Sequence, residues 1–312
     1  MSLATPHQPL RMGLAEWVLL FALSALWGGT FFFFKVLLED DLPPFTIVLG
    51  RVGIAALALN LYLLVRRDPM PMTVGIWRDF LVMGLLNNVL PFTLIVFGET
   101  RISSGLASIL NATTPVFAVL SAHLLTANER LTWRRGAGVL FGFAGVAVLI
   151  GPGALAGLAN QDLLGEASCL AAAFIYGLAG IYGRRFKGIP PIKVATGQIT
   201  GSTIILLPLA ALIDRPWNLP MPGAPAWASL VSLALLCTAL AYMLYFRILA
   251  VAGATNLMLV TFLLPISALL LGWLALGEQI APTAVPGMVL IGFGLACIDG
   301  RPLGWFSRAR TA

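Results

Sequence analysis

"LLNNVLPFTL" at residues 85–94 and "LLCTALAYML" at residues 235–244 are one apolar pattern written twice, about 150 residues apart. Leu85, Leu86, Leu90 and Leu94 coincide with Leu235, Leu236, Leu240 and Leu244. Working outward, further pairs follow in the same order. Pro115 falls on Pro265, Glu129 lies within one residue of Glu278, and Gly142-Phe143 matches Gly292-Phe293. Trp27-Gly28 corresponds to Tyr176-Gly177, and Pro43-Pro44 with Gly50-Arg51 to Pro190-Pro191 with Gly197-Gln198. Apolar helices resemble one another by composition, so a single pair carries little weight; the ordered series marks an internal repeat.

The solvent for such a chain is lipid. Of its 312 residues, 59% are hydrophobic and only 10% charged, against about a quarter charged in soluble domains. Apolar runs recur along the whole length, each able to cross ~30 Å of hydrocarbon at about 1.5 Å per residue. No alternation of polar and apolar residues in runs of about ten marks a β-barrel. The reading is an all-α polytopic membrane protein. Cys169, Cys237 and Cys297 fall within apolar spans and suggest no disulfide framework. The net charge of +6 is read as arginine held in cytoplasmic loops, with no nucleic-acid partner.

Breaks at Pro43-Pro44, Arg66-Arg67-Asp68-Pro69, Arg134-Arg135, Gly151-Pro152-Gly153, Pro190-Pro191 and Pro216 to Pro225 divide the chain into ten spans. They are expected over 14–38, 43–65, 77–97, 103–125, 134–151, 163–183, 193–213, 224–247, 253–276 and 282–298. With the N-terminus in the cytoplasm, 15 of the 19 basic residues are cytoplasmic, Arg101 and Arg215 are external, and Lys35 and Arg51 lie within spans. That bias follows the positive-inside rule and places both termini in the cytoplasm.

Each repeat then holds five spans, and an odd number inserts the second copy upside down. The expected domains are a cytoplasmic leader over 1–13, a first repeat over 14–151, a second, inverted repeat over 152–298, and a cytoplasmic tail over 299–312. Two inverted five-helix repeats around a central cavity are an architecture of secondary transporters, whose halves rock around a fixed site.

"ALWGGTFFFFK" (25–35) with "LPPFTIVLGR" (42–51), "ATTPVFAVLSAHLLTANERLTWRRGAGVLFGFAGVAVL" (112–149) and "LLPISALLLGWLALGEQIAPTAVPGMVLIGFGLACI" (263–298) resemble the EamA-type repeats of the drug/metabolite transporter (DMT) superfamily. The chain as a whole resembles the YddG-like amino-acid exporters of that superfamily. Asn128-Glu129 departs from the Gly-Glu of the pattern, which Gly277-Glu278 keeps. The resemblance implies ten helices, cytoplasmic termini, a bacterial cytoplasmic (inner) membrane and export of amino acids or related small metabolites.

No phosphate-binding loop, zinc-binding HExxH or GxSxG nucleophile elbow occurs, so ATP-driven transport would need a separate ATPase subunit, none of which is evident, and a cofactor, a metal and enzymatic catalysis are not expected. Polar groups inside spans face the bundle or a water-filled cavity. Asn87 and Asn88 precede Pro91, which deprives a carbonyl of its donor. Ser104, Ser108, Asn111 and Pro115 repeat at the spacing of one helical face, as do Ser24, Trp27, Phe31 and Lys35. Tyr176, Gln198, Tyr242 and Tyr245 add hydroxyls and an amide from the second half. The expected substrate cavity is thus Trp27, Phe31, Asn87, Asn88, Ser104, Ser108, Asn111, Tyr176, Gln198, Tyr242 and Tyr245, with packing between helices as the alternative use of the serines.

Neutral amides, hydroxyls and rings suit a small amphipathic solute. Neutral and aromatic amino acids fit, as do other metabolites and drugs, moved outward or inward, and a lipid-linked flippase could share the fold. Lys35 is expected to snorkel, to pair with Glu39 or Asp40, or to meet a substrate carboxylate. Arg51, some seven residues inside span two, requires a partner that the sequence does not name. The 13 acidic residues lie in loops or at span ends, which argues against a carboxylate relay for protons.

Overall fold

The computed structural model describes residues 13–125, 132–150, 161–257, 260–280 and 282–299. The leader before residue 13, Glu129, the Gly151-Pro152-Gly153 break and the tail from 300 onward lie outside the described residues. Among the described residues the regular structure is entirely helical. We label the helices α1 (Leu14–Glu39), α2 (Pro44–Val65), α3 (Val74–Glu99), α4 (Ser104–Leu125), α5 (Trp133–Ile150), α6 (Gln161–Tyr182), α7 (Pro191–Asp214), α8 (224–257), α9 (Val260–Leu276) and α10 (Ala284–Asp299). Seven of these carry stretches long and apolar enough to cross a membrane: α1 to α4, α6, α7, and Ala224–Tyr245 of α8. Gly136–Gly145, Leu263–Leu276 and Ala284–Gly294 are shorter apolar stretches in α5, α9 and α10. Helix α8 runs on past Arg247, where the sequence reading ends its span; Arg247 is exposed and does not interrupt the backbone ladder.

Phe34, Phe80, Leu20, Leu23, Leu37 and Ile47 are fully buried, while Leu57, Leu61, Leu64 and Val65 are exposed on the outside of α2. Apolar side chains on both faces are what a helix surrounded by lipid and by other helices requires. The principal pairings are α1 with α9, α4 with α6, α3 with α6, α1 with α8, α3 with α7, α2 with α8, α2 with α7, and α5 with α10. Exchanging α1–α5 for α6–α10 maps each pairing onto another, or onto itself.

Two close approaches between helices obey the same exchange. A Cβ on Gly28 would meet Ser267 and, at 3.0 Å, the backbone nitrogen of Ala268; a Cβ on Gly177 would meet the backbone of Phe117 and Ala118 at 3.0 Å. Glycine lets backbones come this near. Not every glycine of α6 is used this way: a Cβ added to Gly180 would meet no neighbouring helix within 4 Å. On α5, Gly138 and Gly142 meet Gly294 of α10, whose Cβ would stand 2.6 Å from the Gly138 carbonyl.

Among the described residues, three π-helical turns interrupt the ladders: Leu85–Val89 in α3, Leu235–Leu240 in α8 and Ala210–Asp214 in α7. The first two occupy the twin stretches that reveal the repeat. Pro91 follows the turn in α3, but Ala241 takes its place in α8, so proline alone does not cause it. Side-chain hydroxyls serve the loosened carbonyls: Thr238 Oγ1 donates to Leu233 O at 3.0 Å, and Ser202 Oγ reaches Gly84 O at 3.2 Å.

Helix α4 departs from the sequence expectation. A turn at Ala112 and Thr113 interrupts it, between Ser104, Ser108 and Asn111 on one side and Pro115 on the other. Pro115 cannot donate to the Asn111 carbonyl, and Thr114 Oγ1 donates to it instead at 2.7 Å.

Replacing Gly177 by Ala forces α6 away from α4 and is expected to cost about 1–3 kcal/mol. Gly180→Ala, placed in open space on the same helix, is expected to leave stability unchanged. Thermal unfolding of the two purified variants in detergent checks the contrast.

Candidate functional site: a polar and aromatic cluster shared by both halves

The two π turns face the helices that carry Arg51 and Gln198. Arg51 of α2 donates from Nε to Thr238 Oγ1 of α8 at 2.9 Å. In the matching place, Asn87 of α3 donates from Nδ2 to Gln198 Oε1 of α7 at 3.0 Å, and the same nitrogen lies 3.3 Å from Tyr242 Oη. Asn88 Nδ2 donates to Ser202 Oγ at 3.0 Å. The Ser202 hydroxyl in turn donates to Gln198 O at 2.7 Å. Every one of these bonds except the last joins the first half of the chain to the second.

Aromatic rings complete the cluster. The Arg51 guanidinium lies over Phe92, 3.7 Å from its centroid, and 5.3 Å from that of Phe34. Tyr176, Tyr242 and Cys237 are close enough to interact electrostatically with its charge. Trp27 and Tyr245 stack at a tilt with centroids 5.8 Å apart, and Tyr245 lies edge-on to Tyr242 at 6.4 Å. Trp27, Tyr176, Tyr242 and Tyr245 are half-buried.

Magnitudes decide how Arg51 is tolerated. A charge this deep costs about 2.5–3.5 kcal/mol on the insertion scale. A desolvated cation–π contact returns about 2 kcal/mol, and a hydrogen bond to a charged donor about 1.5–3 kcal/mol. Rings and one hydroxyl therefore offset the cost of the charge. They leave Nη1 buried without a hydrogen-bond partner.

The remaining expected residues divide. Phe31 packs in the main apolar core, and Ser24 meets Ser267 across α1 and α9. Ser108 Oγ donates to Gly105 O at 2.6 Å and is spent on its own helix. Asn111 is half-buried at the break in α4, with Oδ1 unpartnered. Ser104 belongs to a different assembly at the end of the bundle. There Glu278 accepts from Ser104 N at 2.8 Å, Ser104 Oγ at 2.7 Å and Gly105 N at 3.2 Å. A carboxylate here answers the unpaired donors and the positive end of the helix dipole. Asp214 does the same for α2, accepting from Thr46 N at 2.6 Å. A cavity of about 60 Å³ lies beside the Glu278 cap, lined in part by Leu106, Leu269 and Trp273.

Lys35 belongs to this end too. Its Nζ donates to the Glu99 carbonyl at 3.2 Å, so the hydrogen bond runs to α3 rather than to Glu39 or Asp40. Asp40 instead accepts from Gly223 N at 3.0 Å. Glu99 itself is fully buried with both carboxylate oxygens unpartnered. Sequence position sets it at a helix end, but the packing of α6 removes it from water. Thr238 and Ser202, which hold the cluster, were hidden among ordinary hydroxyls of apolar spans; their places opposite Asn88 and one helical turn after Gln198 are the signal that could have found them.

An all-helical bundle with apolar outer faces and polar groups gathered between its two halves defines a multi-pass membrane transporter. Residues 15–151 and 163–298 both match the EamA-like transporter family; the chain belongs to that family, within the DMT superfamily. Among its relatives, the uncharacterized transporter YoaV of Bacillus subtilis is 26% identical over 275 residues, covering 88% of this chain and 93% of that protein. The probable terminal-alkyne amino-acid exporter of Streptantibioticus cattleyicolor is 31% identical over 223 residues, 70% of this chain and 71% of that protein. The uncharacterized inner membrane transporter YedA of Escherichia coli is 27% identical over 301 residues, 91% and 92% of the two chains. A crystal structure of a protein 20% identical superposes with a TM-score of 0.65 over 91% of this chain and 97% of that one, a likeness of fold.

Glu278→Ala removes all three acceptor contacts from the start of α4 and is expected to lower stability by about 1–3 kcal/mol. Glu278→Gln keeps part of the cap and should fall between. Thermal unfolding of both variants in detergent measures the order.

Proposed function

We propose that this transporter exports amino acids, aromatic and other neutral ones, across the bacterial inner membrane by alternating access. All ten helices span the bilayer, with both termini in the cytoplasm. The two five-helix units, α1–α5 and α6–α10, lie in opposite orientations around the polar cluster. The strong bias of basic residues toward one side supports this topology. Pairings that survive exchange of the halves, and π turns in both twin stretches, support the inverted repeat.

The observation that carries the reading is the cluster itself: Asn87, Gln198 and Tyr242 joined by hydrogen bonds, with Trp27 and Tyr245 stacked nearby. Its amides and hydroxyl recognise polar groups and its rings receive an apolar side chain, which together describe an amino acid better than a sugar or a lipid tail. An amino-acid exporter among the relatives points the same way. Because the bonds join α3 to α7 and α2 to α8, rocking of one half against the other breaks them, and a solute that replaces them can accompany the motion.

The test is the amino-acid profile of the medium around cells expressing the chain. Aromatic and neutral amino acids are expected to accumulate, and a profile without excess of any amino acid sinks the reading. Trp27→Ala is expected to reduce export by about three- to tenfold, the worth of one aromatic contact, with insertion unchanged on a blot of the membrane fraction.

A further inference from the structure

Arg51 is a buried cation with a donor to spare. It is 4% exposed, its Nε is bound to Thr238, and its Nη1 is enclosed without an acceptor. Carboxylates form ion pairs elsewhere: Asp79 with Arg78 and Arg185, and Asp68 with Lys193. Phe92 and Phe34 attract the guanidinium through their ring faces but offer no hydrogen-bond acceptor. The position that matches Arg51 in the second half is Gln198, an uncharged amide already bonded to Asn87.

We infer that Arg51 Nη1 receives the carboxylate of the transported solute, so that the substrate class is small carboxylates with an apolar body. The inference rests on reading the cluster as the transport site, and it narrows that reading to one atom. A guanidinium presents its donors in a planar fork, so a carboxylate approaching its edge leaves the ring contacts on its faces intact. Tyr242, whose hydroxyl lies 3.3 Å from Asn87 Nδ2, brings a hydroxyl to the same cluster. Nothing in this arrangement demands an amine. Recognition through Arg51 therefore extends to carboxylates that lack one, and it rejects amines that lack the carboxylate.

The probes are L-phenylalanine, 3-phenylpropionate, phenylalaninamide and phenethylamine, applied to the full chain in detergent and in liposomes. Thermal stabilisation reports binding, and efflux from loaded liposomes reports transport. The wild type should respond to the two carboxylates and not to the amide or the amine. Arg51→Gln should lose about 10–100-fold in apparent affinity for both carboxylates, the range for a hydrogen bond to a charged group. Arg51→Lys, which keeps the charge but not the fork, should fall between, and it decides the matter if Arg51→Gln does not fold. Equal response of the wild type to amine and carboxylate, or an unchanged preference in either variant, overturns the inference. Response to phenylpropionate but not phenylalanine overturns the amino-acid reading and supports the role of Arg51. Phenylalanine export unaffected in Arg51→Gln does the reverse, and silence to all four probes overturns both.

Discussion

Hydrocarbon offers no hydrogen bonds, so each polar group between the helices must be answered from within the chain. The structure meets that constraint partly by bonds within each helix and partly by sending partners across its midline. Arg51 reaches Thr238, Asn87 reaches Gln198, and Asn88 reaches Ser202. Asp214 and Glu278, both from the second half, cap helices of the first. Neither half is self-sufficient in its polar chemistry. On the proposed reading, substrate recognition and the cohesion of the two halves draw on the same few side chains.

Among the buried polar groups left without a hydrogen-bond partner, those of Arg51 and Glu99 differ in kind. Nη1 of Arg51 sits among aromatic rings that ease its charge from the side. The Glu99 carboxylate, at the end of α3, has Lys35 on its own backbone carbonyl and Glu278 and Cys169 within electrostatic range. One is a cation shared between the halves, the other an acid beneath a helix end. A bundle of apolar helices packs without either, so packing is not the reason for their presence.

The helical membrane character of the fold was legible in the sequence, because burial in lipid leaves a coarse mark: apolar runs with prolines at the breaks. The repeat was legible from small ordered coincidences, and Gly28 against Ser267 beside Gly177 against Phe117 gives those coincidences a physical cause. The site was legible in part. Amides such as Asn87 and Gln198 stand out in an apolar run, and they do meet. Ser104 and Ser108 stand out equally, yet they are spent on a cap and a carbonyl. Glu99 was obscured by its position, since a helix end is near water only when no neighbouring helix covers it. Periodicity also gave no sign of the turn in α4, where Thr114 compensates Pro115 by donating to the Asn111 carbonyl.

The π turns carry a consequence for how chains of this kind are compared. Such a turn is in effect one residue inserted into a helix, and it rotates everything beyond it by about 100°. Asn87 and Asn88 lie within the turn and Phe92 lies after it, so no single helical wheel describes all three. Both twin stretches hold the insertion, so it is common to the two halves rather than peculiar to either. A one-residue gap opposite 85–89 in an aligned relative thus removes a twist and re-aims half a helix; it is not the harmless shortening that a gap of that size signifies in a loop.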